Sequence, residues 1–205
     1  MSFTGHTARK RFGQHWLRDA SVLDRIIQAA QLGPDDRVLE VGPGRGVLTE
    51  RLLASPAAAV HAVELDRDLV VGLRQRFAEF SHFSMTEGDV LQIPLLLPDH
   101  RPADKVVANI PYNITGPLLE RLVGRLDRPV SPPYQRLVLL LQKEVAERIR
   151  AKPGHSSFSA LSVRMQLLAD CHSVVNVPPR CFSPPPKVQS EVISLDPRPV
   201  EQRLE

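Results

Sequence analysis

Arg37-Val38-Leu39-Glu40-Val41-Gly42-Pro43-Gly44-Arg45-Gly46 runs from a mostly apolar strand into a turn holding three glycines. Val47-Leu48-Thr49-Glu50-Arg51-Leu52-Leu53 then continues it as a helix. Strand, glycine turn and helix make a nucleotide-type cradle, because glycine lets a ligand approach the backbone beside a helix N-terminus. The spacing narrows the ligand. A dinucleotide fingerprint needs glycine at position 47, where Val47 stands, and no Gly-Lys-Ser/Thr follows. A nicotinamide dehydrogenase is thus disfavoured. The turn suits a ligand that seats no pyrophosphate there.

Downstream, strands and helices alternate. The strand 58–63 ends in Glu64-Leu65-Asp66, and a helix follows through Leu69, Leu73 and Phe77. An acid at the end of a second strand is placed to accept from both ribose hydroxyls. Helix entry alone would also favour an acid, but Asp66 already fits that role, which turns Glu64 towards a ligand. A third strand near 82–86 leads to Gly88-Asp89-Val90. Asp89 could accept from an exocyclic amine of a bound adenine; a turn-forming Asp after Gly fits equally well. Lys105-Val106-Val107-Ala108 is a fourth strand, and it delivers Asn109-Ile110-Pro111-Tyr112. Asn offers a planar set of one acceptor and two donors, and Tyr offers a flat face. Together they can hold a planar ring bearing an amino group.

The nearly all-apolar run 136–141 marks a strand buried on both faces. Helices are expected over 142–149 and 156–168, then two late strands over 171–177 and 191–195. Between these strands, residues 178–187 are rich in proline. That stiffness would present Phe182 at low entropy cost, unless the ring simply belongs to the core. Ahead of the first helix, with its apolar Val22, Leu23, Ile26, Ile27 and Ala30, lies Arg9-Lys10-Arg11-Phe12. Charge pattern alone favours a solvated basic N-terminus there, with Phe12 and Trp16 tucked into the core.

With 42% hydrophobic and 24% charged residues in 205, the chain reads as one soluble domain. No apolar run approaches the roughly 20 residues of a membrane helix. The N-terminus shows no apolar signal segment, so a cytoplasmic location is expected. Cys171 and Cys181 lack metal-ligand spacing, and no metal site is expected. A sequence pI near 9.1 is compatible with a nucleic-acid partner.

These readings describe an α/β protein whose chemistry gathers at one sheet edge. The chain resembles the class I S-adenosylmethionine-dependent methyltransferases, with a Rossmann-like, mostly parallel seven-stranded sheet and helices on both faces. More narrowly, it resembles the rRNA adenine N6,N6-dimethyltransferase family. The match runs from Arg9 to about Leu195, through Arg-Lys-Arg-Phe-Gly-Gln, Glu-Val-Gly-Pro-Gly, Val-Glu-Leu-Asp, Gly-Asp-Val and Asn-Ile-Pro-Tyr-Asn-Ile. Leu-Gln-Lys-Glu-Val and Phe-Ser-Pro-Pro-Pro-Lys-Val point to its small-subunit, 16S-type branch.

The resemblance implies S-adenosylmethionine as cofactor, held by His15, Leu17, Gly42, Glu64, Asp89 and Asn109. The family usually has Asn where this chain has His15. It implies dimethylation of two adjacent adenosines in small-subunit rRNA, on the RNA or a pre-ribosomal small subunit, by a monomer. Asn109, Ile110, Tyr112 and Phe182 would hold the base. Arg9, Lys10 and Arg11 become RNA contacts. The expected division is a basic arm over 1–18, a catalytic domain over 19–196 and a loose tail over 197–205, without the family's small helical C-terminal domain. Alternatives are another adenine-N6 methyltransferase acting on DNA or other RNA, or a non-catalytic RNA-binding assembly factor.

Overall fold

A computed structural model describes residues 15–202. Its centre is a seven-stranded sheet built from β2 (Arg37–Val41), β3 (Ala59–Glu64), β4 (Phe83–Glu87), β5 (Lys105–Asn109), β6 (Arg136–Gln142), β7 (Ala169–Val177) and β9 (Ser190–Pro197). The order is β4-β3-β2-β5-β6-β9-β7; β9 runs antiparallel to both neighbours and every other pair is parallel. The expected mostly parallel sheet is therefore present.

β6 shows why its sequence lacks polar alternation. Side chains alternate between faces along a strand. Leu137, Leu139 and Leu141 enter the core on one face, while Val138 and Leu140 enter the core on the other. Helices α1 (Ala20–Ala30), α2 (Val47–Ala54) and α3 (Arg67–Arg76) cover the second face. The first is covered by α4 (Thr115–Val123), α5 (Lys143–Arg150) and α6 (Ala160–Leu168). Both layers follow from 3–4 spacing of apolar residues, as in Val22, Leu23, Ile26 and Ala30 of α1.

Local signals set the helix ends. Asp19 Oδ1 accepts from the Val22 amide at 3.0 Å and starts α1. Asp66 takes the same position on α3, accepting from the Asp68 amide at 3.0 Å. The helix expected over 156–168 is shorter. Ser162 Oγ accepts from the Ser159 amide at 3.0 Å, closing a capping box that starts α6 at Ala160. Residues before it turn instead.

Two further segments differ from expectation. β1 (Trp16–Leu17) pairs antiparallel with β8 (Phe182–Ser183), so the last residues of the basic arm are clasped to the proline-rich loop. At the other end β9 includes Pro197, and Arg198 donates its amide to Leu168 O at 2.9 Å and pairs with Asp170 at 2.8 Å. The tail is tied to the domain at its start.

Candidate active site

The carboxyl ends of β2, β3 and β5, the segment after β4, and the β1–β8 clasp enclose a cavity of about 440 Å³. His15, Leu17, Gly42, Glu64, Asp89, Asn109, Ile110, Tyr112 and Phe182 all line it. The structure thus brings together every site residue expected from the sequence except Arg9, Lys10 and Arg11, which lie outside the described residues.

One half is built around the glycine turn. Gly42 has φ +67°, and its amide donates to Val63 O at 2.9 Å. Gly44 has φ +57°, a region L side chains avoid, and its amide donates to Glu64 Oε2 at 3.2 Å. Glu64 Oε1 accepts from the Asp66 amide at 3.0 Å. Burial pushes the Glu64 carboxyl up, against the lowering effect of the Asp66, Gly44 and Leu65 amides. Asp89 Oδ1 accepts from the Leu91 amide at 2.9 Å, so this acid shapes its turn and faces the cavity at once.

Glu40 was not singled out by sequence reasoning. It is 1% exposed and lines the same cavity. Thr49 Oγ1 donates to its Oε2 at 2.7 Å, while Oε1 has no hydrogen-bond partner among the described residues. Burial raises its pKa from 4.5 to about 8; the Thr49 hydrogen bond opposes this and the Glu64 charge adds to it. At neutral pH the side chain is a neutral acid. The available signal was a single acid among the apolar residues Val38, Leu39 and Val41.

The other half surrounds the end of β5. The Ile110 amide donates to Leu140 O at 3.0 Å and its side chain is buried. Pro111 O accepts from the Ile114 amide at 3.1 Å, closing a short 3₁₀ turn over Tyr112–Ile114. The Tyr112 hydroxyl and Ser190 Oγ are 2.6 Å apart, which ties the ring to the start of β9. Burial raises the Tyr112 pKa against that hydrogen bond, so the phenol is neutral. The His15 ring stacks on Tyr112 with centroids 5.8 Å apart and planes at 27°. His15 Nδ1 lies 2.8 Å from Pro184 O, an acceptor only, so this nitrogen carries a proton and donates.

Phe182 corrects one expectation. The prolines do not present its ring outward: it is 4% exposed and packs in the core with Leu17, while contributing to the cavity wall. Pairing of β8 with β1 turns it inward.

Fold and cavity together define a Rossmann-like methyltransferase. Residues 5–204 match the family model described as ribosomal RNA adenine dimethylase. "Ribosomal RNA small subunit methyltransferase A" of Synechococcus sp. (strain WH7803) is 79% identical over 203 residues, covering 99% of this chain and 72% of that protein. The protein of the same name from Prochlorococcus marinus (strain MIT 9303) is 74% identical over 205 residues, covering 100% and 73%. The chain belongs to the ribosomal RNA adenine dimethylase family, enzymes that methylate adenine in rRNA.

Solved structures agree. A dimethyladenosine transferase from Plasmodium falciparum superposes with a TM-score of 0.82 at 34% identity, over 93% of this chain and 66% of that one. The 23S rRNA methyltransferase ErmE gives 0.74 at 31%, over 89% and 70%. The chain spans about seven tenths of the length of its curated relatives.

Proposed function

We propose that this protein transfers methyl groups from S-adenosylmethionine to N6 of two adjacent adenosines in small-subunit rRNA, within the assembling small subunit in the cytoplasm. The observation that carries the reading is the meeting of Glu64, Asp89 and the Asn109–Tyr112 turn on one cavity, in a chain of this family.

The cavity fits the cofactor. Glu40 Oε1 is a buried polar atom on the cavity wall without a partner among the described residues, and a bound ligand would supply one. A Cβ at Gly42 would stand 3.5 Å from Asn109 O, so the glycine turn lies close beside the end of β5, and both line the cavity. Glu64 would accept from the ribose hydroxyls, Asp89 from the adenine amine, and His15 and Leu17 would close the site from the clasp. When bound, the cofactor supplies an electrophilic methyl on a sulfonium.

The residues of the chain hold the nucleophile. An adenine amine reacts poorly because its lone pair is delocalised into the ring. The Asn109 side-chain oxygen and the Ile110 carbonyl accept from N6–H and draw the nitrogen towards tetrahedral geometry, which frees that lone pair. Tyr112, fixed through Ser190, stacks on the base once it has left its neighbours. Phe182 keeps the wall apolar and excludes water. Rate enhancement comes chiefly from alignment. Arg9, Lys10 and Arg11 neutralise rRNA phosphates, and no helix among the described residues is long and apolar enough to cross a membrane.

The test is transfer of tritiated methyl to small ribosomal particles and to naked small-subunit rRNA, with mass spectrometry of the nucleosides. Dimethyladenosine is expected with the native chain, and its loss with Asn109→Ala. Full transfer of both methyls by Asn109→Ala would refute the scheme.

A further inference from the structure

Acids and free cations fall on opposite halves of the carboxyl edge. In the order β4-β3-β2-β5-β6-β9-β7, the strand that ends in the Asn109–Tyr112 turn is the central one. Glu64 and Asp66 stand at the end of β3 and Asp89 after β4, so their charge lies on one side of that turn. On the other side the chain leaves β7 and returns to β9 through residues 178–189, a loop that carries Arg180 and Lys187. Both are exposed, and neither has an ion-pair partner among the described residues.

Arg18 joins them from a distant part of the sequence. Its amide donates to Cys181 O at 2.8 Å, which extends the β1–β8 clasp by one residue and sets Arg18 across from the neighbour of Arg180. The Arg18 side chain is also exposed and without an ion-pair partner among the described residues. Asp19, the acid beside it, is turned to the helix, where its Oδ1 accepts from the Val22 amide at 3.0 Å. By contrast Arg51, Arg76, Arg101, Arg125 and Arg148 each meet a carboxylate. Guanidinium groups set near one another with no carboxylate between them repel unless an anion joins them. The segment that carries them is stiffened by Pro178, Pro179, Pro184, Pro185 and Pro186. It is also tied to the site: Pro184 O accepts from His15 Nδ1 at 2.8 Å, and Ser190 at its end holds the Tyr112 hydroxyl at 2.6 Å.

We propose that Arg18, Arg180 and Lys187 form a phosphate-binding lip for the single-stranded rRNA beside the target adenosine. The strand then crosses the β9–β7 half of the carboxyl edge and leaves the acidic half to the cofactor. This rests on the reading of the protein as an enzyme acting on rRNA. Arg18 and Arg180 fall in none of the motifs that carry the family resemblance. Phosphate contacts fix where the strand lies and carry no sequence information, so choice of the base stays with the Asn109–Tyr112 turn.

The test is filter binding of the full chain to naked small-subunit rRNA across a salt series. Native protein is expected to bind, with affinity falling as salt rises. Arg18→Gln, Arg180→Gln and Lys187→Gln combined should flatten the slope of log affinity against log salt by about 2, at about 0.7 per phosphate of a single strand. Arg128 and Lys152, exposed cations towards the amino edge of the sheet, supply the control. Arg128→Gln with Lys152→Gln should change the slope by less than about 0.5. None of the three lip side chains lines the cavity, so S-adenosylhomocysteine affinity in the triple variant should stay within about twofold. In methyl transfer the triple variant should raise KM for rRNA about tenfold with kcat near native, as loss of ground-state contacts does.

An unchanged slope in the triple variant would overturn the proposal. A comparable fall in the control would also overturn it, since net charge rather than this lip would then set the slope. Native affinity for naked rRNA together with slower transfer to small ribosomal particles would overturn it by assigning the lip to a ribosomal protein. Failure of the native chain to bind rRNA even at low salt would overturn the rRNA reading, and this proposal with it.

Discussion

Replacing Glu40 with Gln tests the electrostatics of the cavity from its most buried acid. In the folded protein the carboxyl loses its proton only near pH 8, whereas an exposed glutamate does so near 4.5. Between those values the native state holds a proton that the unfolded chain has released, so stability falls as pH rises. At about 1.4 kcal/mol per pH unit, less where the native carboxyl begins to ionise, the cost reaches roughly 3 kcal/mol at pH 7 and roughly 4 kcal/mol at pH 8. Gln is neutral in both states and carries no such cost. Its oxygen still accepts from Thr49, now 2.7 Å from the carboxylate. Its amide donors lack an acceptor, which takes back about 1–3 kcal/mol at every pH. The offset between the two proteins is thus small near pH 6, and the slope is the diagnostic quantity.

Urea unfolding at pH 5, 6, 7 and 8 measures it. The stability of Glu40→Gln minus that of the native chain should climb by about 1 kcal/mol per pH unit through this window, flattening near pH 8. His61, whose pKa burial lowers, remains in both proteins and cancels from the difference. A difference curve flat from pH 5 to 8 would refute the reasoning, since it would mean that Glu40 is ionised and compensated. Cofactor affinity gives a second reading: in the native chain it should rise with pH towards 8, as a cationic ligand favours the carboxylate, and in the variant it should not.

Tyr112→Phe removes only the bond to Ser190 and should slow single-turnover methyl transfer a few-fold, whereas Tyr112→Ala removes the stacking face and should cost about 10–100-fold. Equal rates for the two variants would show that the ring is not the platform. Gly44→Ala forces a Cβ to 2.3 Å from Trp16 and holds a non-glycine residue at φ +57°. It should lower Tm and weaken S-adenosylhomocysteine binding together, and calorimetry showing native affinity would contradict the close packing of the turn. Neutralising Arg9, Lys10 and Arg11 to Ala should reduce the slope of log affinity for rRNA against log salt by about 2–3. Filter binding with an unchanged slope would remove these residues from the interface.

The fold was readable where one rule governed each segment. The uninterrupted Leu137–Leu141 run admits one reading, a strand covered on both faces, and the structure divides its side chains between the two cores. Glu64 could be assigned to the ligand because Asp66 already fits helix entry, and Asp66 does cap α3. The start of α6 differs from expectation because apolar spacing continues upstream of the helix, while the start itself is set by a Ser159–Ser162 capping box that periodicity does not register. The β1–β8 clasp was invisible for a different reason. Its strands are two residues each and join positions more than 160 residues apart, so no local pattern encodes them.

The same distinction explains the site. Residues carried at strand ends were legible, since the alternation of strand and helix delivers each to the carboxyl edge of a parallel sheet. Residues defined by contact were not. Phe182 reads as a ring on a stiff loop until β1 pairs with that loop and turns it inward. Glu40 reads as one polar position in a strand until burial and the nearby Glu64 decide its charge. The consequence is electrostatic: with Glu40 protonated at neutral pH, the cavity carries less negative charge than its four acids, Glu40, Glu64, Asp66 and Asp89, suggest.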